Sequence, residues 1–250
     1  MASDKELEGR VAIVTGAGRN IGRGIALSLA DGGAAVVVNA RSNRAEAEAV
    51  VKEIEAKGGR AFSAICDVVD EAAVNKMAAD TVARFGRIDI LVNNAALRAE
   101  KALEQMSLAE WREVIGVVLD GAFICVKACL PHLKKSGQGS IVNIGGLSAH
   151  TGAAHRAHVV AGKSGLVGFT RALAHELAGQ VRANTVTPGL MQAPRPAGQP
   201  EPQHHSFSKP LVGRRGLPED IAEIVRFLAG PKAAYITGQN YQLNGGAYLS

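Results

Sequence analysis

Residues 11–14, Val-Ala-Ile-Val, run without a spacer into Thr15-Gly16-Ala17-Gly18-Arg19-Asn20-Ile21-Gly22, and from 21 to 31 the apolar residues recur at helical spacing. No other stretch restricts the fold so strongly. A short β-branched run, a glycine-rich turn and a helix start, in that order, suit the pyrophosphate of a dinucleotide. Glycine lets the backbone approach closely, and the helix N-terminus offers unpaired N–H groups. Tight structural turns produce the same pattern, so the turn alone leaves both readings open and the rest of the chain decides.

The alternation continues downstream. Residues 35–38, 88–92 and 141–144 are short runs rich in β-branched residues, each bounded by Gly, Asn or Asp, and read as buried parallel strands. Segments 45–57, 71–85, 108–133 and 159–177 carry helical spacing, and a helix over 218–228 with a strand over 239–243 closes the chain. Strand and helix in strict alternation predict right-handed crossovers, hence an α/β doubly wound parallel sheet with helices on both faces. With 250 residues, 47% of them hydrophobic, one sizeable core suffices, so residues 1–250 are expected to form a single domain.

Segment 192–210 has no apolar periodicity and gathers five of the nine prolines with His204 and His205, which predicts an exposed, mobile lid at about 190–212. The net charge of +5 is spread over a whole domain with no basic run interleaved with aromatics, which argues against a nucleic-acid partner. Residues 1–8 are polar and no segment reads as a membrane span, so the expectation is a cytoplasmic protein without a membrane partner. Cys66, Cys125 and Cys129 have no metal-site spacing and are expected to be buried free thiols; no metal ligands are assigned.

Six motifs, in order on the expected elements, make the chain resemble the short-chain dehydrogenase/reductase family from about residue 8 to residue 249. They are Thr15-Gly16…Ile21-Gly22, Cys66-Asp67-Val68 after the third strand, Asn93-Asn94-Ala95-Ala96 after the fourth, Lys163 on a later helix, Pro188-Gly189 after the sixth strand, and Tyr235-Ile236-Thr237-Gly238. The resemblance implies a Rossmann-type fold, a nicotinamide cofactor, a small-molecule substrate and a homo-oligomer, tetramer or dimer, with helices 108–133 and 159–177 at one interface. It also implies that Asp67 bonds the adenine amino group, Val68 packs on the ring, Asn93 to Ala95 line the ribose, and Pro188 and Gly189 border the site. Asp67 has a plainer reading as a helix cap. The family's glycine before Ile21 is Asn20 here, a residue that tolerates left-handed backbone.

Cofactor choice follows from charge at the end of the second strand. An acidic residue there would accept from a ribose 2′-hydroxyl, whereas a 2′-phosphate needs a cation. The chain reads Asn39-Ala40-Arg41, with Ala40 where the resemblance places an NAD-selecting aspartate and Arg19 in the turn. NADP(H) is therefore expected over NAD(H), the alternative being that Arg19 and Arg41 are ordinary surface charges.

The resemblance also implies a tyrosine four residues before Lys163, a serine thirteen residues before that, and an asparagine on the preceding long helix. Counting gives Val159, Gly146 and Val118. The chain's tyrosines are Tyr235, Tyr241 and Tyr248, none of them four or seven residues before a lysine. Substitutes at hand are Ser148, His155 and His158, with His150 nearby, because histidine suits proton transfer near neutral pH; equally, these are surface or packing residues. Lys163 is expected to hold the nicotinamide ribose. Three functions remain open: an oxidoreductase with an altered acid/base group, a non-redox enzyme that keeps the dinucleotide, and a binding or scaffold protein whose catalysis has decayed.

Overall fold

In the computed structural model, residues 5–192 and 209–249 are described. Seven parallel strands form one sheet in the order β3-β2-β1-β4-β5-β6-β7. They are β1 (Val11–Val14), β2 (Ala35–Ala40), β3 (Arg60–Ile65), β4 (Ile90–Asn93), β5 (Gly139–Ile144), β6 (Val181–Pro188) and β7 (Asn240–Leu243). The helices are α1 (Asn20–Asp31), α2 (Arg44–Ala56), α3 (Glu71–Phe85), α4 (Leu108–Ile115), α5 (Gly121–Lys135), the short α6 (Ser148–Thr151), α7 (Ala157–Glu176) and α8 (Pro218–Ala229).

The central strands are buried on both faces, and successive side chains serve opposite layers as the pleat requires. Ala12, Val14, Val36, Val38, Val142 and Ile144 pack beneath α1, α2 and α8, whereas Ile13, Val37, Leu91 and Ile141 pack beneath α3, α5 and α7. The doubly wound fold expected from the alternation is thus present.

Two strands were not visible as apolar runs. β3 lies at the sheet edge, half-buried, so its sequence mixes Arg60 and Ser63 with apolar residues. β6 is buried yet polar, because Asn184, Thr185 and Thr187 find partners: Asn184 donates to the Ile236 carbonyl at 3.0 Å and Thr187 to Asn240 Oδ1 at 2.7 Å. Pro188 is the last residue of β6 rather than the first after it.

The helix expected over 108–133 divides into α4 and α5 around a π turn at Gly116–Asp120. Gly121 follows that turn and packs closely on Val68; a Cβ there would lie 2.6 Å from Val68 Cγ2. Among the described residues, Leu108–Lys135 is the one stretch long and apolar enough to cross a membrane, but α5 packs on β4, β5 and α3 as a core helix. Cys66 is half-buried and free, and Cys125 and Cys129 are buried and free, as expected. Burial pushes the Cys66 thiol up to about 11 and that of Cys129 to about 12, which disfavours thiolate chemistry. Of the expected lid, residues 193–208 lie outside the described residues.

Candidate functional site

The sheet order reverses between β1 and β4, and in sheets of this kind ligands bind in the crevice outside the carboxyl ends of the strands at such a switch point. On one side stands the turn between β1 and α1. Gly16 has φ +61° and Asn20 φ +50°, so Asn20 adopts the left-handed backbone that the substitution of a glycine demanded. Gly22 admits no side chain: a Cβ would lie 2.2 Å from the Gly16 carbonyl and 2.6 Å from Asn94 Nδ2. Arg19 occupies the N-cap of α1 in extended conformation, no side chain caps the helix, and Ile21 is buried beneath it. The chain's own side chains therefore leave this helix end for an anion, which fits the pyrophosphate of a dinucleotide.

The turn is held by residues that pattern reasoning did not single out. Asn39, buried at the end of β2, accepts from the Gly16 N–H at 3.2 Å and donates to the Ala64 and Cys66 carbonyls at 3.1 Å. Asn94 donates to the Thr15 and Gly16 carbonyls at 2.9 and 3.0 Å, while Thr15 Oγ1 accepts from the N–H groups of Asn94 and Ala95 at 3.0 Å. An amide carries both donor and acceptor, so one asparagine ties together backbone that fans out where parallel strands end. Both residues stand inside quoted motifs; only their long-range partners were hidden.

Asn93 donates to Asn143 Oδ1 at 2.8 Å, Asn143 to Thr170 Oγ1 at 2.8 Å, and Thr170 lies 2.8 Å from Thr185 Oγ1. At the end of this buried chain, Asn93 Oδ1 is sequestered without a hydrogen-bond partner. It borders a tight cleft, too narrow to hold a water molecule, with Thr15, Val68, Ala95, Val117, Val118, Gly121 and Ala122. Asp67 is half-buried and accepts from the Val69 N–H at 3.3 Å; the cap of α3 is Asp70, which accepts from the Ala73 N–H at 3.0 Å. The capping reading of Asp67 is thereby replaced. Val68 is buried, its side chain against Gly121. Arg41 is exposed just beyond β2, and Arg19 reaches only 4.0 Å from Glu46. Gly189 donates to the Leu243 carbonyl at 2.9 Å, and a Cβ on it would lie 2.5 Å from Asn244 Cα.

Lys163 projects from α7 and its ammonium donates to the carbonyl of Ile144, at the carboxyl end of β5. It is 7% exposed. Burial, first, and then the neighbouring guanidinium groups of Arg98 and Arg156 push it down to about 7. One turn before it, Val159 is buried in an apolar cluster with Val114, Val118, Ala122 and Leu166. Opposite, Gly146 leaves space: a Cβ there would meet only Lys163 Cγ, at 3.7 Å.

The histidines separate sharply. His158 is 1% exposed; its Nδ1 accepts from the Val159 N–H at 3.0 Å, and its Nε2 is buried without a partner. His155 is exposed, with φ +60° and its carbonyl accepting from the Lys101 N–H at 2.7 Å. Ser148 is half-buried at the start of α6, a helix that the sequence did not announce. His150 Nε2 lies 2.9 Å from Asn240 Nδ2 and its ring stacks on Tyr248, centroids 5.8 Å apart, so the tail tyrosine reaches the loop after β5. Burial, and then Arg171, lower the His150 pKa.

Comparison with known proteins agrees with this geometry. Residues 16–248 match the family model described as "Enoyl-(Acyl carrier protein) reductase". The chain is 39% identical over 240 residues to the 3-oxoacyl-[acyl-carrier-protein] reductase FabG of Staphylococcus aureus, covering 95% of this chain and 98% of that protein. It is 39% identical over 245 residues to the (2S)-[(R)-hydroxy(phenyl)methyl]succinyl-CoA dehydrogenase subunit BbsD of Thauera aromatica, covering 97% and 98%. Among solved structures, a dehydrogenase/reductase from Sinorhizobium meliloti 1021 superposes with a TM-score of 0.93 at 33% identity, covering 100% of this chain and 99% of that one. A short-chain dehydrogenase/reductase from Brucella melitensis gives 0.90 at 34%, covering 98% and 99%. The chain belongs to the short-chain dehydrogenase/reductase family of oxidoreductases.

Proposed function

We propose that this protein is an NADP(H)-dependent oxidoreductase that interconverts a small carbonyl compound and its alcohol, using an acid/base group other than tyrosine. The observation that carries the reading is Lys163, buried beside the crevice with its ammonium on the Ile144 carbonyl, on the same sheet edge as the uncapped Gly16–Gly22 turn. The cofactor, when bound, supplies the hydride. Residues of the turn would hold its pyrophosphate, Arg19 and Arg41 its 2′-phosphate, Asp67 and Val68 the adenine, Asn93 to Ala95 and Lys163 the ribose hydroxyls, and Pro188 and Gly189 the nicotinamide side.

His158 is the favoured hydrogen-bond donor to the reacting oxygen. Because Nδ1 accepts from a backbone N–H, the neutral ring carries its proton on Nε2, and that buried donor lacks an acceptor. An oxyanion formed by reduction of a carbonyl is such an acceptor. His155, exposed, and Ser148, half-buried, are the other candidates. Position 159, where the family's tyrosine is expected, is Val159, and the serine and asparagine positions are Gly146 and Val118.

A second reading, in which the dinucleotide is kept for structure, for non-redox chemistry or for a scaffold role, is favoured by one observation. Val118 and Val159 pack together in an apolar cluster where polar groups would be needed. NADPH consumption across a panel of ketones, with calorimetry of cofactor binding, separates the two: tight binding with no turnover of any ketone rejects the redox reading.

We also place the protein in the cytoplasm as a homo-oligomer, a tetramer or dimer. Phe123 on α5 is 51% exposed and sits 6.4 Å from the ring of Phe169 on α7, an apolar face suited to a second copy of the same helices.

A further inference from the structure

We propose that His150 is a proton-sensitive latch: as a neutral ring it fastens the C-terminal tail and β7 to the loop after β5, and on protonation it releases the tail.

The latch starts from an amide whose orientation is fixed. The hydroxyl of Thr187, fully buried in β6, donates to Asn240 Oδ1 at 2.7 Å. That bond turns the amide nitrogen of Asn240 toward His150 Nε2, 2.9 Å away. An amide nitrogen has only protons to give, so Nε2 accepts and the neutral ring carries its proton on Nδ1. A second proton on the ring would set one donor against another at hydrogen-bond distance. Turning the amide over would give that donor an acceptor, but it would strand the buried Thr187 hydroxyl, for which no other acceptor stands among the described residues.

On its other side the ring stacks on Tyr248, with centroids 5.8 Å apart and planes inclined by 25°. Tyr248 belongs to a tail folded around Asn244, whose Oδ1 accepts from the Gly246 N–H at 2.9 Å and whose Nδ2 donates to the Tyr248 carbonyl at 3.0 Å. The same tail meets residues 210–212: the Gly245 carbonyl accepts from the Val212 N–H at 3.1 Å, and a Cβ on Gly246 would lie 2.9 Å from Leu211 Cδ1. The loop after β5 is anchored separately, because the Ser164 hydroxyl of α7 donates to the Ala149 carbonyl at 3.1 Å. His150 therefore joins a loop fixed to α7, the one that carries Gly146 beside Lys163, to a tail that has its own internal turn.

The groups that act on the ring are Asn240 of β7, Tyr248 of the tail and Arg171 of α7. The face of a tyrosine attracts a cation. Burial and the charge of Arg171 oppose one and prevail, so His150 titrates below the ordinary 6.5 of histidine. Between that lower value and 6.5 the unfolded chain binds the proton and the folded chain does not. The contact is thus complete above pH 6.5 and is lost as the pH falls through the folded value.

The test uses the full chain, labelled with ¹⁵N, and needs neither cofactor nor substrate, so its outcome is independent of the redox reading. Ring spectra, with His150 identified by its loss in His150→Gln, should show the Nδ1–H tautomer at about pH 8 and a midpoint below 6.5. Protection of residues 244–249 against hydrogen exchange, relative to the free-peptide rate at each pH, should fall about tenfold between about pH 8 and pH 5 while that of β1 holds. His150→Gln keeps an acceptor for Asn240 but does not titrate, so its tail protection should not change with pH. His150→Leu has no acceptor and should show the low protection at both pH values. An Nε2–H tautomer at about pH 8, a midpoint at or above 6.5, equal tail protection at the two pH values, a loss in His150→Gln matching the parent's, or full protection in His150→Leu overturns the latch.

Discussion

His158 Nδ1 accepts the backbone N–H of Val159 at 3.0 Å, so the side chain of one residue closes a helix end that its own N-cap residue, Arg156, leaves without a side-chain bond. The bond also sets the tautomer of a ring whose other nitrogen is buried and unpartnered. Replacing His158 by Ala should lower stability by about 1 to 2 kcal/mol through loss of the cap. If His158 donates to the reacting oxygen, turnover should fall by about 10² or more at unchanged NADPH affinity. Denaturant unfolding and single-turnover kinetics separate the two effects. A stability loss with no kinetic change would leave His158 a structural cap.

The ammonium of Lys163 is held down to about 7, below the 10.5 of an unperturbed lysine. Between these values the unfolded chain binds the proton and the folded chain does not, so this group's contribution makes stability rise with pH across that window. Below pH 7 the folded protein bears the full cost. Lys163→Met should therefore raise the melting temperature most at and below pH 7, with the difference from the parent shrinking toward pH 10. Melting curves in which that difference stays constant with pH would contradict a depressed Lys163.

Gly22→Ala places a methyl 2.2 Å from the Gly16 carbonyl and 2.6 Å from Asn94 Nδ2. The turn must open, at a cost of about 1 to 3 kcal/mol, and NADPH affinity should fall in parallel. Gly58→Ala serves as a control: its φ is +79° and nothing lies within 4 Å, so it should lose stability without losing cofactor.

Arg41 stands exposed next to the apolar Ala40, with no carboxylate at the end of β2. NADPH should bind more tightly than NADH, and Arg41→Asp should reverse the order, since one charge-assisted contact contributes about 1.5 to 3 kcal/mol. Equal affinities in calorimetry, unchanged by the substitution, would remove the argument.

Gly146→Ser meets only Lys163 Cγ at 3.7 Å and should fold as the parent does. Val159→Tyr enlarges a residue 4% exposed and should cost about 1 to 3 kcal/mol. Ketone reduction by the double variant, absent from the parent with every ketone tried, would show that catalysis has decayed. Activity in the parent that His158→Ala abolishes would show that it has been rebuilt.

The alternation of β-branched runs with helical stretches, and glycine at the positions of Gly16 and Gly22, determined the doubly wound sheet and its dinucleotide turn. These features are local: a strand, a turn or a helix face is written in consecutive residues. β3 and β6 escaped because an edge strand is half-wet and because the polar groups of Asn184, Thr185 and Thr187 are paid for by partners distant in sequence. The π turn at Gly116–Asp120 broke a helix that spacing alone ran on, and Val68 meets Gly121 at its end, a contact between different elements. Sequence spacing placed His155 and His158 three residues apart without ordering them. Only tertiary packing buried one with an orphaned nitrogen and exposed the other, because aim and burial are set by side chains that converge from segments distant in sequence.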